Sequence, residues 1–274
     1  MLGSLCLSTL EIGIVRYMKL KLLVFAAVFS LSTCAFADAL AWDVTGQNQF
    51  GKLNLQTGNF NALSSVGFIV AGLGEIGTTV YTAQSGSTGL FAVNTNTGAL
   101  SLVGDASLTY YTFGSTQTGL YMVDTVGGLW NIDPSTGSST LIGSTHLNIV
   151  SGMTIGLSAG SNNLYLALGS SVYTINTSTG LASYIGDTGT TDFGALVDVS
   201  GVVYGTSIVD PNSIYSFNPS TGAATFLTTS AAGDYSFGVA PIVPEPGSLT
   251  LLGLAGTLLG GLALKRKRAL RRVF

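Results

Sequence analysis

Between residues 38 and 242 the sequence has no arginine and no cysteine, and its only basic side chains are Lys52 and His146. The same stretch holds eleven acids: Asp38, Asp43, Glu75, Asp105, Asp124, Asp133, Asp187, Asp192, Asp198, Asp210 and Asp234. One lysine against eleven acids leaves this body at about −10, although the whole 274-residue chain is at −3. A surface of that sign is repelled by phosphate backbones and anionic lipid headgroups, which excludes nucleic acid as a partner. Both cysteines, Cys6 and Cys34, precede the body, so a disulfide framework, a cysteine metal site and a cysteine nucleophile are excluded from it. A single histidine excludes a three-histidine metal site and leaves any Ser-His-Asp arrangement dependent on His146. That residue sits in Ser144-Thr145-His146-Leu147, which reads as a solvated loop. There is no Gly-Lys-Ser/Thr step among the many glycines, and so no phosphate-cradling loop. Charged residues make up only 8% of the chain, but 46% is hydrophobic, so the composition is not that of a disordered chain. About 200 residues of this kind are enough for one sizeable core.

The basic residues gather at the two ends. Met18-Lys19-Leu20-Lys21 opens a positive segment, residues 22–31 are apolar, and Ala35-Phe36-Ala37 has the small-x-small pattern that precedes signal cleavage. The expectation is a signal peptide over residues 1–37 in helical form, initiated in fact at Met18, with cleavage by signal peptidase after Ala37. A retained anchor is one alternative. A lipoprotein is another, since Leu31-Ser32-Thr33-Cys34 loosely resembles a lipobox. At the other end, Val243-Pro244-Glu245-Pro246 precedes an uncharged run over residues 247–264. As a helix that run would measure about 27 Å, close to the short limit for a membrane span. Six of the next eight residues are basic, namely Lys265, Arg266, Lys267, Arg268, Arg271 and Arg272, and would hold this end in the cytoplasm.

Pro244-Glu245-Pro246, a short Gly/Leu-rich span and a terminal basic cluster, in that order, resemble the PEP-CTERM sorting signal of Gram-negative bacteria. The resemblance covers residues 243–274. It implies recognition by an exosortase, a membrane cysteine protease, with processing near the tripeptide. It also implies an inner-membrane anchor before processing, then a cell-surface or extracellular destination in a producer of exopolysaccharide, biofilm or floc. An ordinary tail anchor would explain the span and the charges but not the tripeptide.

The body is repetitive. A Thr-Gly step recurs in one setting at Thr57-Gly58, Thr97-Gly98, Thr136-Gly137, Thr179-Gly180 and Thr221-Gly222, at spacings of 40, 39, 43 and 42 residues. Each follows an apolar/polar alternation ending in Asn or Asp, as in Ile132-Asp133-Pro134-Ser135-Thr136-Gly137, except the first, which has Leu55-Gln56 after Asn54, and each is followed by another short apolar segment. Asn or Asp binds the turn backbone, proline presets φ, and glycine supplies the positive φ that closes a hairpin. Two further strand candidates lie between successive steps, the first of them Gly-rich. Four short strands in about 41 residues read as a propeller blade. Residues 235–240 look like one more innermost strand without a blade of their own. The chain after residue 38 starts partway through a blade. The expected fold is therefore all-β, a five-bladed β-propeller over residues 38–242 closed by pairing its N- and C-terminal strands, which removes open edges. A six-bladed propeller and a β-sandwich are the alternatives.

The fold transfers no activity by itself. Asp105, Asp187, Asp192 and Asp234 stand near the entries of repeats and are the candidates for an oxygen-ligand Ca²⁺ site. Asp187 and Asp192 are the candidates for a glycosidase-type acid pair. Asp105 and Asp187 each follow a strand-ending glycine, where turn capping is a sufficient role, and Asp124, Asp133, Asp210 and Asn218 fit turns. The aromatics Tyr121, Trp130, Tyr165, Tyr173, Tyr204 and Tyr215 recur at matching strand positions, which favours packing between repeats over a sugar platform. The expectation is a non-enzymatic surface or matrix protein without a cofactor, with Ca²⁺ at the four acids above as the alternative. A glycan- or protein-binding module and a polysaccharide-active enzyme are the alternatives.

Overall fold

The computed structural model describes residues 38–149, 155–160, 162–189, 192–210 and 212–242. The segments read as signal peptide, sorting motif, membrane span and basic tail lie outside the described residues. By its contacts the chain divides into two units, Met1–Asp38 and Ala39–Phe274, and the second is described here.

The described residues form twenty β-strands and no helix, so among them no helix is long and apolar enough to cross a membrane. One four-stranded antiparallel sheet runs β20 (Ser236–Pro241), β1 (Leu40–Thr45), β2 (Gln49–Asn54), β3 (Phe60–Ser65). A second runs β4 (Val70–Ile76), β5 (Thr79–Gln84), β6 (Gly89–Val93), β7 (Leu100–Asp105). A third runs β8 (Thr112–Ser115), β9 (Leu120–Val123), β10 (Gly128–Ile132), β11 (Ser139–Ser144). The fourth sheet has eight strands. Its halves are β12 (Ile155–Ala159), β13 (Leu164–Leu168), β14 (Ser171–Ile175), β15 (Ala182–Asp187) and β16 (Phe193–Val199), β17 (Val202–Ser207), β18 (Ser213–Phe217), β19 (Ala224–Thr229). A short parallel bridge, Ser158 opposite Leu196 and Ala159 opposite Val197, joins the halves through β12 and β16. The first sheet joins the two ends of the body, with β20 antiparallel to β1 from Ala41↔Pro241 to Thr45↔Ser236. The first strands touch in sequence: β20 meets β4, β4 meets β8, β8 meets β12, β12 meets β16, and β16 meets β20.

The Thr-Gly steps connect the third and fourth strand of every quartet. At each one the side chain of Asn or Asp accepts from the turn backbone: Thr57 N to Asn54 Oδ1 at 3.0 Å, Thr97 N to Asn94 at 3.1 Å, Ser135 N to Asp133 at 2.7 Å, Thr179 N to Asn176 at 3.1 Å and Ser220 N to Asn218 at 2.8 Å. The glycine amide then donates to the carbonyl of that same residue, and its φ lies between 70° and 84° at all five sites. These bonds contribute about 1 kcal/mol each. Asn218→Ala is therefore expected to lower unfolding free energy by about 1 kcal/mol in a urea melt, and an unchanged midpoint would show that the turn forms without its side-chain acceptor.

The same five turns hold one quartet to the next. A Cβ added at Gly98 would run into Ser64 of β3, at Gly137 into Gly104 of β7, at Gly180 into Gly143 of β11, and at Gly222 into Gly186 of β15. Gly58 stands in the same relation to Thr229 of β19, so the set runs from the last quartet back to the first. The glycine ahead of Asp105 or Asp187 thus has a second reason to be there: a side chain at Gly104 or Gly186 would collide with the carbonyl of Thr136 or Thr221.

Burial falls from the second strand of a quartet to its fourth. β9 and β13 are buried throughout, whereas β7, β11 and β15 are largely exposed or half-buried. Apolar side chains fill the spaces between adjacent quartets. Leu53, Leu55, Val197, Ile214 and Val239 share one cluster, and Tyr165 packs edge-on against Phe217 at 5.5 Å. Lys52 is exposed and holds its ammonium 5.0 Å from the Trp42 ring, which is itself stacked on Phe50.

Candidate functional site

The inner strands carry one tier of residues in matching register. Glu75 on β4 pairs with Val80, Ser115 on β8 with Leu120, Asp198 on β16 with Val203, and Pro241 on β20 with Ala41. Each partner lies on the second strand of its quartet, so these residues stand at equivalent positions. The Ser115 hydroxyl ties the tier together, accepting from Glu75 N at 2.9 Å and from Gly160 N at 3.3 Å.

At this end of the strands a pocket of about 420 Å³ opens. Glu75, Gln117, Asn162, Asp198, Pro241 and Ile242 line it, with Val199, Ser200 and three glycines. No lysine, arginine, histidine or aromatic ring is among the lining residues. The turn after Asp198 is built around that acid, whose Oδ1 accepts from Gly201 N at 2.7 Å. Glu75 is 95% buried and its Oε2 has no hydrogen-bond partner. Burial alone pushes its carboxyl up to about 8. A second acid, Asp43 on β1, is fully buried between Gly51 and Val239. Neither of its oxygens has a well-formed hydrogen bond, and burial pushes it up to about 7, against a small opposing pull from Ser236.

The acids singled out in the sequence sit elsewhere. Asp105 and Asp187 end β7 and β15, the outermost strands, where they accept hydroxyl bonds from Thr88 at 3.1 Å and Ser171 at 2.8 Å. Asp192 is half-buried just before β16. Asp234 accepts from its own neighbour Tyr235 N and lies against Gly46. Among the described residues no three His, Cys, Asp or Glu side chains form a group that could hold a metal ion. Asp124 and Asp210 do work in turns, and each also binds the aromatic of the next strand. Asp124 accepts from Trp130 Nε1 at 2.7 Å and Asp210 from the Tyr215 hydroxyl at 3.2 Å. His146 is exposed in a loop with φ +57°. Tyr121, Tyr165, Tyr204 and Tyr215 are buried, in keeping with packing, while Trp130 and Tyr173 are half-buried.

Glu75, Asp198, Gln117 and Asn162 are not among the site residues expected from the sequence. One signal was available: Glu75 is the sole glutamate of the body and falls inside Gly72-Leu73-Gly74-Glu75-Ile76, a segment with the small and apolar residues of an inner strand.

Three comparisons bear on the chain. No curated protein matches its sequence. In fold it is similar to a chain from the crystal structure of a nidogen/laminin complex, with 12% identity over 76% of this chain and 82% of that one and a TM-score of 0.52. That likeness concerns the fold alone. The model of the PEP-CTERM protein-sorting motif matches residues 243–268, which begin directly after the pocket residue Ile242. The chain thus carries the PEP-CTERM protein-sorting motif on an all-β body, and the motif implies an exported, exosortase-sorted protein that is anchored in the membrane before it is processed.

Proposed function

We propose that this is a non-enzymatic surface or matrix protein of a Gram-negative cell, released by exosortase into an exopolysaccharide or biofilm layer. Its body over residues 38–242 is a five-bladed β-propeller. In this reading residues 1–37 are the signal peptide and residues 247–264 the temporary membrane helix. The observation that carries the function is the sorting motif at residues 243–268. The propeller is supported by twenty strands in five antiparallel quartets, by the cyclic order of inner-strand contacts and by the pairing of β20 with β1. A non-enzymatic role is supported by the placement of Asp187, which is engaged with Ser171 on an outer strand. Deleting residues 244–274 is expected to abolish membrane anchoring and change the fraction in which the protein is recovered. Unchanged fractionation would overturn the sorting role.

A second reading, a binding module, is favoured by the pocket at the ends of the inner strands. An acid-pair glycosidase is the third. It would require cleavage of some member of a glycan panel, with loss of that activity in Asp187→Asn or Asp192→Asn.

A further inference from the structure

We infer that the pocket lined by Glu75 and Asp198 binds a small organic cation, a protonated primary amine on a body the size of one sugar ring, with the ammonium held at Glu75. The inference goes beyond the sorting role and does not depend on it.

Four features of the pocket point the same way. Its side-chain polar groups are two carboxyls, two amides and a serine hydroxyl, and no cationic side chain competes for them. A ligand that donates several hydrogen bonds and carries positive charge meets acceptors there, whereas an anion meets two acids inside a body near −10. Glu75 is 95% buried with Oε2 enclosed and unpartnered, so its ionised form is costly unless a cation comes up to the carboxyl from the pocket side. An ammonium supplies both the donor and the countercharge, the stronger class of hydrogen bond. Glu75 has no cationic side chain beside it in the pocket to satisfy it internally.

Size separates an amine from a bare metal ion. Calcium needs six to eight oxygens at roughly 2.3–2.6 Å, a closed shell. The two acids here belong to different strands, in a space of about 420 Å³, which falls in the range of small-molecule pockets. The apolar side chains of Val199, Pro241 and Ile242 give one part of the wall carbon surface for the ligand body. Bare backbone at Gly77, Gly160 and Gly201 completes the wall, with the Gly160 and Gly201 amides already given to Ser115 and Asp198.

The test uses the full-length chain in detergent, titrated with glucosamine at pH 6.5, where the amine is charged and takes the place of the proton that the buried Glu75 carboxyl holds in the empty pocket. N-acetylglucosamine is the neutral analogue, and calcium chloride is the metal probe. Saturable binding of glucosamine at least tenfold tighter than N-acetylglucosamine is expected. Glu75→Gln, which keeps the shape and removes the ability to ionise against a bound ammonium, should weaken glucosamine at least tenfold, with Asp105→Asn as the unaffected control. Equal affinity for the two sugars would overturn the inference, as would no saturable glucosamine binding. Displacement of glucosamine by calcium at micromolar concentration would overturn it in favour of a metal site. If Glu75→Gln does not fold, the comparison of the two sugars on the unaltered chain still decides.

Discussion

Urea midpoints are expected to fall as pH rises from 5 to 9, and Asp43→Asn is expected to remove most of that fall. Asp43 has no solvent exposure and its carboxyl is raised from 3.8 to about 7. A carboxyl with a higher pKa in the folded state binds more protons folded than unfolded, so stability drops with pH across the interval between the two values. Its contribution is complete below about 4 and is lost as pH passes through about 7. Glu75, raised from 4.5 to about 8, extends the loss to higher pH. For Asp43 the shift corresponds to on the order of 4 kcal/mol, a large share of the 5–15 kcal/mol typical of a folded domain. The Glu75 share is smaller, since its carboxyl borders the solvent of the pocket. Asparagine has the shape of the protonated acid and no charge to desolvate. A variant that keeps the full pH slope would show that Asp43 stays ionised in the fold.

Gly180→Ala is expected to cost about 3 kcal/mol, against about 1 kcal/mol for Gly77→Ala. Both glycines have positive φ, +84° and +64°, so both alanines pay for the left-handed backbone. Only Gly180 also faces a neighbour: its added Cβ would stand 2.7 Å from the carbonyl carbon of Gly143 and 3.0 Å from Ser144 N. Around Gly77 there is nothing within 4 Å. Overpacking against backbone, which cannot rotate away, accounts for the difference. Urea unfolding of the two variants side by side measures it. Equal losses would mean that the hairpins do not clip adjacent quartets together, and that the repeated glycine serves its own turn alone.

Local chemistry was legible in the sequence because it is encoded within a few residues. The alternation of apolar and polar side chains marked the strands. Asn54, Asn94, Asp133, Asn176 and Asn218, each three residues ahead of a Thr-Gly step, marked the hairpins that the structure contains. The sorting motif was legible for the same reason. What escaped was set by long-range register. Gly104 and Gly186 read as strand endings, because the carbonyl that forbids a side chain there arrives from a turn more than 30 residues later. Glu75 and Asp198 read as two acids among eleven. Their equivalence appears only when β4 and β16 are placed side by side with their partners in register. Asp43 was equally hidden. It lies in a stretch no different in pattern from its neighbours, and its burial depends on β20, almost 200 residues away, covering it. The acids that did attract notice, Asp105 and Asp187, were conspicuous by sequence context and occupy the periphery.

The strand that leads into the sorting motif is bonded along one side to β1, from Ser236 to Pro241, and Ile242 N adds a bond to Leu40 O at 3.1 Å. A pull on the chain beyond Ile242 therefore loads β20 first. Where the load runs along the strand, the ladder yields in shear, with its bonds strained together instead of unzipping one at a time. Drag on an anchored molecule is shared with the neighbouring inner strands, since β20 also touches β4, β12 and β16. The tether is fastened to a strand that four others touch.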